Sequence, residues 1–205
     1  MEYWSTIITQ RSSEVLQKIR KEINFILIGG WAVYLWAKSH KSKDIDIVVS
    51  YEELNKLKLK YYVKKNDGLK KYEIIINEID IDIYVPFYSK LPLLEHLKNH
   101  TSGIESFKVA NPEILIILKL AAEISRSNSE KGLKDRIDIM DLLLKCEIDF
   151  EDFDRLVEKE KLQGFRKRLT EIISNFTEIK YLGLNPREFK LRKKELIKEM
   201  RAKMS

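Results

Sequence analysis

One stretch of the chain carries the strongest structural signal: Phe25-Ile-Leu-Ile-Gly-Gly-Trp-Ala-Val-Tyr-Leu-Trp-Ala-Lys-Ser-His-Lys-Ser-Lys-Asp-Ile-Asp-Ile-Val-Val49. Its pattern predicts an apolar strand that ends at Gly29 and Gly30, then a short crossover helix, then a second buried strand. The second strand opens with Asp44 and Asp46. Side chains in a strand alternate between faces, so these two carboxylates project to the same side, about 6.6 to 6.8 Å apart along the strand.

The glycines predict an anion site, and the carboxylates predict a cation site next to it. Gly29 and Gly30 let backbone N–H groups approach an anion, and they lead into a helix N-terminus that favours phosphate. Asp44 and Asp46 can share hard cations of the kind that support in-line phosphoryl displacement. The alternative for the glycines is a plain turn, and the alternative for the aspartates is a solvated strand edge. The apolar residues around the two aspartates favour the functional interpretation, because an uncompensated buried carboxylate is costly.

The pair of glycines, a spacer of thirteen residues and Asp44-x-Asp46 together resemble the signature of the polymerase-beta-like nucleotidyltransferase superfamily. The resemblance implies transfer of an NMP from an NTP to a hydroxyl acceptor, with two Mg²⁺ ions as cofactors. It also requires a third carboxylate from a neighbouring strand. The segment Glu78–Pro86 offers Asp82 for this role, with Asp80 as the reserve.

A second set of residues, downstream, is similar to the AbiEii family of nucleotidyltransferases, which are toxins of type IV toxin–antitoxin systems. The family carries a helical lysine and a later Lys-Asp-x-x-Asp helix, and the resemblance spans roughly residues 25 to 145. It implies that Lys119 contacts the nucleotide phosphates, and that Arg126 and either Asp135 or Asp138 support the nucleotide site. The alternative for these four residues is a surface ion-pair network on amphipathic helices.

This chain departs from the family at one glycine. Many members carry Gly-Ser where this chain has Gly29-Gly30, so the serine contact to the phosphates is missing and backbone N–H donors would have to serve.

The periodicity predicts an α+β fold with two parts. Residues 1–109 are expected to form the catalytic domain, a small mixed β-sheet with flanking helices. Residues 110–205 are expected to form a helical bundle that completes the nucleotide site and ends in a basic C-terminal helix. Asn111-Pro112 and Asn185-Pro186 each predict an N-cap followed by proline at the first helical position.

Composition indicates a soluble protein of the cytoplasm. A chain of 205 residues with 44% hydrophobic content can bury a sizeable core. No stretch is long and apolar enough for a membrane span, and no leader segment is evident. Cys146 is the only cysteine, so an intrachain disulfide is excluded, which suits a reducing compartment.

The formal charge of +6 is concentrated in two segments. Residues 186–205 hold eight Lys or Arg against three Glu, and residues 56–71 hold seven lysines against one aspartate. Such segments attract polyanions, although a solvated lysine-rich face is the alternative. With the resemblance, this favours RNA as acceptor, in the form of a tRNA 3′ end docked on the basic C-terminal helix. It further implies a cognate antitoxin protein as regulator.

Two other functions stay open from the sequence. A small-molecule nucleotidyltransferase of the antibiotic-modifying kind would use the same carboxylates without needing residues 186–205. A non-catalytic RNA-binding or partner-binding protein could retain the scaffold after decay of the chemistry, but the presence of Asp44, Asp46 and Asp82 argues against decay. His96 and His100 share a helical spacing, yet Leu97 replaces the glutamate of the zincin motif, so zinc is not expected.

Overall fold

The structure, a computed structural model, describes residues 5–202 and their side chains as far as residue 200. The chain divides into two compact units, one ending with Asn111 and the other beginning with Pro112. The first unit contains the sheet and the second is helical, in line with the α+β class expected from the sequence, which is confirmed.

The first unit is a mixed sheet with helices around it. Its elements are α1 (Thr6–Arg20), β1 (Ile26–Ile28), α2 (Gly29–Ala37), β2 (Ile45–Val48), α3 (Tyr51–Lys60), β3 (Lys64–Asn66), β4 (Lys71–Ile76), β5 (Ile79–Tyr84), β6 (Thr101–Ile104) and β7 (Phe107–Ala110). The strand order is β3-β4-β5-β2-β1-β7-β6. Strands β2 and β5 are parallel, as are β1 and β7, and the other neighbours are antiparallel.

Alternation along β5 separates a core face from a polar face. Ile79, Ile81 and Ile83 are almost completely buried, whereas Asp80 and Asp82 lie on the opposite face. The isoleucines are β-branched and fit the pleated surface of a buried sheet, so hydrophobic burial fixes which way the strand faces. Because side chains alternate along the strand, Asp80 and Asp82 then lie on the polar face.

Two tight hairpins in this unit use non-glycine residues with positive φ. Asn77 and Glu78 join β4 to β5 with φ values of 50° and 66°, and Glu105 and Ser106 join β6 to β7 with φ values of 48° and 68°. The β6–β7 hairpin is absent from the sequence-based expectation.

The sequence-based expectations need two corrections. Strand β2 begins at Ile45, so Asp44 lies in the bend before it rather than inside it. His96 and His100 flank only a single 3-10 turn, Leu97–Asn99, because the chain turns into β6 directly afterwards.

The second unit consists of helices. They are α4 (Pro112–Arg126), α5 (Glu130–Lys145), α6 (Phe150–Lys159), α7 (Phe165–Asn175), a 3-10 turn (Ile179–Tyr181) and α8 (Pro186–Ala202). Both prolines stand at the first helical position, as predicted. Asn185 caps α8, since its side-chain oxygen accepts hydrogen bonds from the N–H groups of Arg187 and Glu188 at 3.0 and 2.9 Å. The basic segment predicted over 186–205 extends beyond this helix, and Lys203 lies outside the described residues.

Within residues 5–202, no helix combines the length and apolar character needed to cross a membrane.

Candidate active site

Three carboxylates lie in a row across the polar face of the sheet. Asp46 in β2 is paired with Asp82 in β5, and Asp82 is paired in turn with Glu73 in β4. Directly paired residues on neighbouring strands point to the same face, and the strands are about 4.8 Å apart. We call Asp46, Asp82 and Glu73 the acidic row.

Asp44 and Asp80 each precede a member of the acidic row by two residues, Asp44 before Asp46 and Asp80 before Asp82. Asp44 precedes Ile45, and Asp80 precedes Ile81, the partner of Ile45. Asp80 is exposed, whereas Asp44, Asp46 and Asp82 are partly buried. The register thus puts Asp82 directly opposite Asp46 and leaves Asp80 nearer the level of Asp44.

A glycine turn packs directly against the acidic row. Gly29 has φ +68°, and a Cβ atom added there would lie 2.1 Å from Oδ2 of Asp46. The pairing of Ile28 with Asp46 brings this turn beside the carboxylate. Any other residue would be strained in its backbone and would collide with Asp46, so glycine is required here on two independent grounds.

The same turn starts helix α2, whose N-cap residue makes no side-chain hydrogen bond to the first turn. The residue before the helix is Ile28, which cannot cap it, and the first turn contains no acidic residue. The hydroxyl of Ser42 packs over Gly30, since a Cβ atom on Gly30 would lie 2.6 Å from Ser42 Oγ. A hydroxyl and the N-terminus of a helix of nine residues are therefore close together beside Asp46. Ser42 could not be predicted as part of the site, because it lies in an irregular loop.

Lys71 binds the middle carboxylate of the acidic row. Its Nζ lies 2.6 Å from Oδ2 of Asp82 and 3.2 Å from Oε1 of Glu73, and the lysine side chain is only 13% exposed. Burial lowers the pKa of Lys71, but the hydrogen bonds and charges of Asp82 and Glu73 together outweigh it, so the net pKa is above its ordinary value. Burial raises the pKa of Asp82, and Lys71 only partly offsets this. Sequence reasoning missed Lys71 because it appeared only as one of seven lysines in a basic segment.

The donor set of this face suits a hard divalent cation. Carboxylate oxygens are the ligands that Mg²⁺ prefers, and the ammonium of Lys71 is already a cation seated on Asp82. In the described part of the chain, however, no three acidic, histidine or cysteine side chains converge on one point. The structure therefore brings Asp46 and Asp82 into register, with Asp44 in the bend before β2, and it places the ammonium group of Lys71 on Asp82.

The other predicted site residues form a buried ion-pair cluster in the helical unit. Lys119 on α4 lies 3.2 Å from Asp135 and 2.8 Å from Asp138, which are both on α5 and 1% exposed. Arg126 binds Asp135 through two nitrogens, at 2.7 and 2.8 Å, and Lys134 pairs with Asp138. The residues that the resemblance linked are thus in contact, and both carboxylates are buried, although the Arg126 side chain is 39% exposed.

Burial and charge act in opposite directions on Asp138. Burial raises the pKa of its carboxyl group, but the nearby ammonium groups of Lys119 and Lys134 outweigh burial, so the pKa lies below its ordinary value. Asp138 is therefore ionised at neutral pH and holds both lysines. A cluster of this kind fixes the packing of α4 on α5 whether or not it also binds a ligand.

A further buried carboxylate in this unit, Glu123, could not be recognised from the sequence. Glu123 on α4 has a fully buried side chain that accepts hydrogen bonds from Arg168 at 2.8 and 2.6 Å and from Arg136 at 2.9 Å. Burial raises the pKa of Glu123, but the two arginines outweigh it and the net pKa is below its ordinary value. Glu123 ties α4 to both α5 and α7.

The comparisons with known proteins bear on the fold. Neither a protein-family model nor a curated protein matches the sequence. JHP933 from Helicobacter pylori matches with a TM-score of 0.53 at 17% identity, over 96% of this chain and 94% of its own. The antibiotic-resistance factor ANT(2'')-Ia matches with a TM-score of 0.51 at 14% identity, over 82% of this chain and 95% of its own.

A third solved structure is more distant. It is an antigenic nucleotidyltransferase-like protein from Paracoccidioides brasiliensis, which aligns with 17% identity and a TM-score of 0.46, over 80% of this chain and 91% of its own. At these identities a likeness shows the fold and nothing finer. The chain therefore shares the fold of JHP933 and ANT(2'')-Ia, with a glycine turn and an acidic row on one face of its sheet.

Proposed function

We propose that the protein is a Mg²⁺-dependent nucleotidyltransferase that moves an NMP from an NTP to a hydroxyl acceptor and releases pyrophosphate. One observation carries the proposal: the carboxylate of Asp46 is packed against the Gly29 turn and is in register with Asp82. This places carboxylates for a metal beside backbone donors for phosphate. A fold-only likeness to nucleotidyltransferase-like proteins agrees with it.

The residues of the first unit then divide the work as follows. Asp44, Asp46 and Asp82 hold the two metal ions, which supply charge neutralisation at the reacting phosphate. The N–H groups at Gly29 and Gly30 bind the triphosphate at the start of α2. Asp82 orients the acceptor hydroxyl and accepts its proton, a role that suits a carboxyl group whose pKa burial has raised.

The helical unit contributes the remaining nucleotide contacts in this proposal. Lys119 neutralises charge on the phosphates, and Arg126 assists it. Asp135 and Asp138 hold these two cations in place, as their ion pairs of 2.7 to 3.2 Å indicate. The proposal takes these roles from the resemblance to the AbiEii family.

The acceptor in the proposal is RNA, with a tRNA 3′ end as the specific candidate. Helix α8 presents exposed Lys190, Lys194 and Lys198 at a spacing of four residues, which puts the three charges on one side of the helix. Counterion release by such a row favours a nucleic acid backbone. A cytoplasmic toxin role with a cognate antitoxin protein is the biological form of the proposal that the resemblance implies.

A small-molecule acceptor is the second candidate. The observation that favours it is the likeness of fold to ANT(2'')-Ia, an antibiotic-resistance factor. Both candidate functions rely on the acidic row, but only the RNA acceptor would bind to α8. A non-catalytic binding protein on the same scaffold predicts polyanion binding that survives loss of Asp46.

The test is transfer of label from each of four α-³²P NTPs, with Mg²⁺, to total tRNA, to an aminoglycoside and to no acceptor. We expect label on RNA, lost in Asp46→Asn and in Asp82→Asn but kept in Asp80→Asn. Label on the aminoglycoside alone would select the small-molecule candidate. Absence of transfer together with absence of Mg·NTP binding by calorimetry would overturn the enzymatic proposal.

Charge reversal on α8 tests whether the acceptor is RNA or a small molecule. The variant changes three exposed lysines together to Glu, and these are Lys190, Lys194 and Lys198. The buried face of α8 stays intact. Three exposed lysines of the same unit serve as the matched control for net charge, and these are Lys131, Lys159 and Lys167. We expect transfer to RNA to fall in the first triple variant only.

A further inference from the structure

Lys71 occupies a position in the acidic row that the proposed reaction leaves unexplained. It lies on β4, two residues before Glu73, so both side chains leave the same face of the strand. Its ammonium group reaches across to Asp82 on β5 at 2.6 Å. The side chain is 13% exposed, so this is a largely desolvated ion pair rather than a surface one.

We propose that Lys71 is a positioning residue that competes with the divalent cation for Asp82 and moves to Glu73 when the cation binds. The proposal rests on the proposed function, since it takes Asp82 as a carboxylate that binds metal. Lys71 itself contacts neither the nucleotide nor the acceptor. Its effect is on how Asp82 is held and on when Asp82 becomes available.

Charge balance requires such a counter-cation when no metal is bound. Asp46, Asp82 and Glu73 stand side by side on neighbouring strands, and like charges directly opposite each other destabilise a sheet. Lys71 bridges two of them and so stabilises the row. A divalent cation brings its own positive charge, after which the ammonium on Asp82 becomes unfavourable.

Glu73 is a ready second partner for the displaced lysine. Its Oε1 is already 3.2 Å from Nζ of Lys71, so the exchange needs a small rotation of the lysine and no movement of the strand. The hydrogen bond from Asn66 at 2.9 Å holds Glu73 in place for this. The lysine therefore exchanges one carboxylate for another on the same face.

Competition by Lys71 determines whether its removal strengthens or weakens metal binding. A residue that only supports the fold would weaken metal binding when it is removed. A competitor does the opposite, so Lys71→Met should bind Mn²⁺ more tightly than the wild type. We expect about a tenfold lower Kd for Mn²⁺, which corresponds to about 1.4 kcal/mol, because a hydrogen bond to a charged group no longer has to be broken.

The experiment is titration of the full chain with Mn²⁺ in the absence of nucleotide, followed by electron paramagnetic resonance. Lys71→Arg keeps the charge and should stay within about twofold of the wild type. Lys64→Met is the matched control, because Lys64 is paired with Glu73 on the same face but contacts only that carboxylate, at 3.8 Å. It removes the same charge from the same face and should change the Kd for Mn²⁺ less than about twofold.

A double variant tests whether Asp82 is the point of competition. In the Asp82→Asn background, Lys71→Met should leave the Kd for Mn²⁺ unchanged. Metal-free Lys71→Met should also melt at a lower temperature than the wild type, and Mn²⁺ should reverse that loss, so a folding defect is distinguishable from a binding effect.

Four results would overturn the competition. The first is equal or weaker Mn²⁺ binding by Lys71→Met, and the second is an equal gain in Lys64→Met. The third is a gain that persists without Asp82, and the fourth is absence of Mn²⁺ binding in every variant. If nucleotidyl transfer fails but the Mn²⁺ titrations give the expected results, the proposed function is contradicted and the competition between Lys71 and the cation is not.

Discussion

Gly29→Ala is the substitution whose effect follows most directly from the structure. Gly29 has φ +68°, which costs an L-amino acid about 1 to 2 kcal/mol. The added Cβ would also lie 2.1 Å from Oδ2, 2.7 Å from Cγ and 2.8 Å from Cβ of Asp46. All three separations are shorter than a carbon atom tolerates, so the carboxylate must leave its position.

The expected loss of stability has two parts that separate variants can measure. Overpacking of this kind typically costs about 1 to 3 kcal/mol, which with the backbone strain gives about 3 kcal/mol for Gly29→Ala. Gly183 has φ +67° and nothing within 4 Å of an added Cβ, so Gly183→Ala should lose only about 1 kcal/mol. Gly103 has an ordinary φ and equal space, so Gly103→Ala should be neutral or slightly stabilising.

The assay combines urea unfolding, followed by circular dichroism, with the nucleotidyl-transfer assay. Because a shift of about 1 Å in a reacting group can cost 100-fold in rate, transfer by Gly29→Ala should fall at least about 100-fold, while both control variants keep wild-type rates. In the Asp46→Ala background, the stability cost of Gly29→Ala should shrink by about 1 kcal/mol, since part of the overlap is gone. Equal costs for Gly29→Ala and Gly183→Ala would refute the packing of the turn against Asp46.

Three further predictions concern stability and reactivity. Glu123→Gln should lower the free energy of unfolding by about 3 kcal/mol at pH 7, because Arg136 and Arg168 lose a buried partner. The pKa of Glu123 is below its ordinary value of 4.5, so the difference should be full above pH 4.5 and should vanish as urea titrations go to lower pH. Cys146 should resist iodoacetamide until strongly alkaline pH, because burial raises the pKa of its thiol to about 11. Ser50→Ala should cost about 1 kcal/mol in urea unfolding, since Ser50 Oγ accepts the N–H of Glu53 at the start of α3.

Each of these predictions has a control. Glu171→Gln removes an ion pair of Arg168 that is partly exposed, and an equal loss at pH 7 would contradict the role of burial at Glu123. Alkylation of Cys146 with a midpoint near pH 8.5 would contradict the burial of its thiol. Ser50→Thr retains a hydroxyl cap, so it should recover most of the stability lost in Ser50→Ala.

Local patterns in the sequence predicted several of the strands and helix starts. The alternation of Ile79, Ile81 and Ile83 fixed the orientation of β5, because burying the isoleucines is decisive for that strand. Pro112 and Pro186 marked helix starts, since proline suits a position whose N–H has no partner. The polar face and the glycine turn could therefore be predicted without the structure.

Features that depend on pairing between distant segments could not be predicted. The sequence offered both Asp80 and Asp82 as the third carboxylate, and only the β2–β5 register places one opposite Asp46. The contacts of Lys71 with Asp82 have the same origin. The β6–β7 hairpin escaped detection for a local reason: its turn uses Glu105 and Ser106 at positive φ, where asparagine and glycine are the usual signal.

The central parallel pair also sets when the acidic row can assemble during folding. Strands β4 and β5 form a hairpin from neighbouring residues, but Asp46 and Asp82 meet only after the intervening chain of α3, β3 and β4 has been closed into a loop. Such non-local closure is slow compared with hairpin formation. If the proposed function holds, recovery of nucleotide binding on refolding therefore reports closure of the β2–β5 pair, and it should lag behind formation of the β4–β5 hairpin.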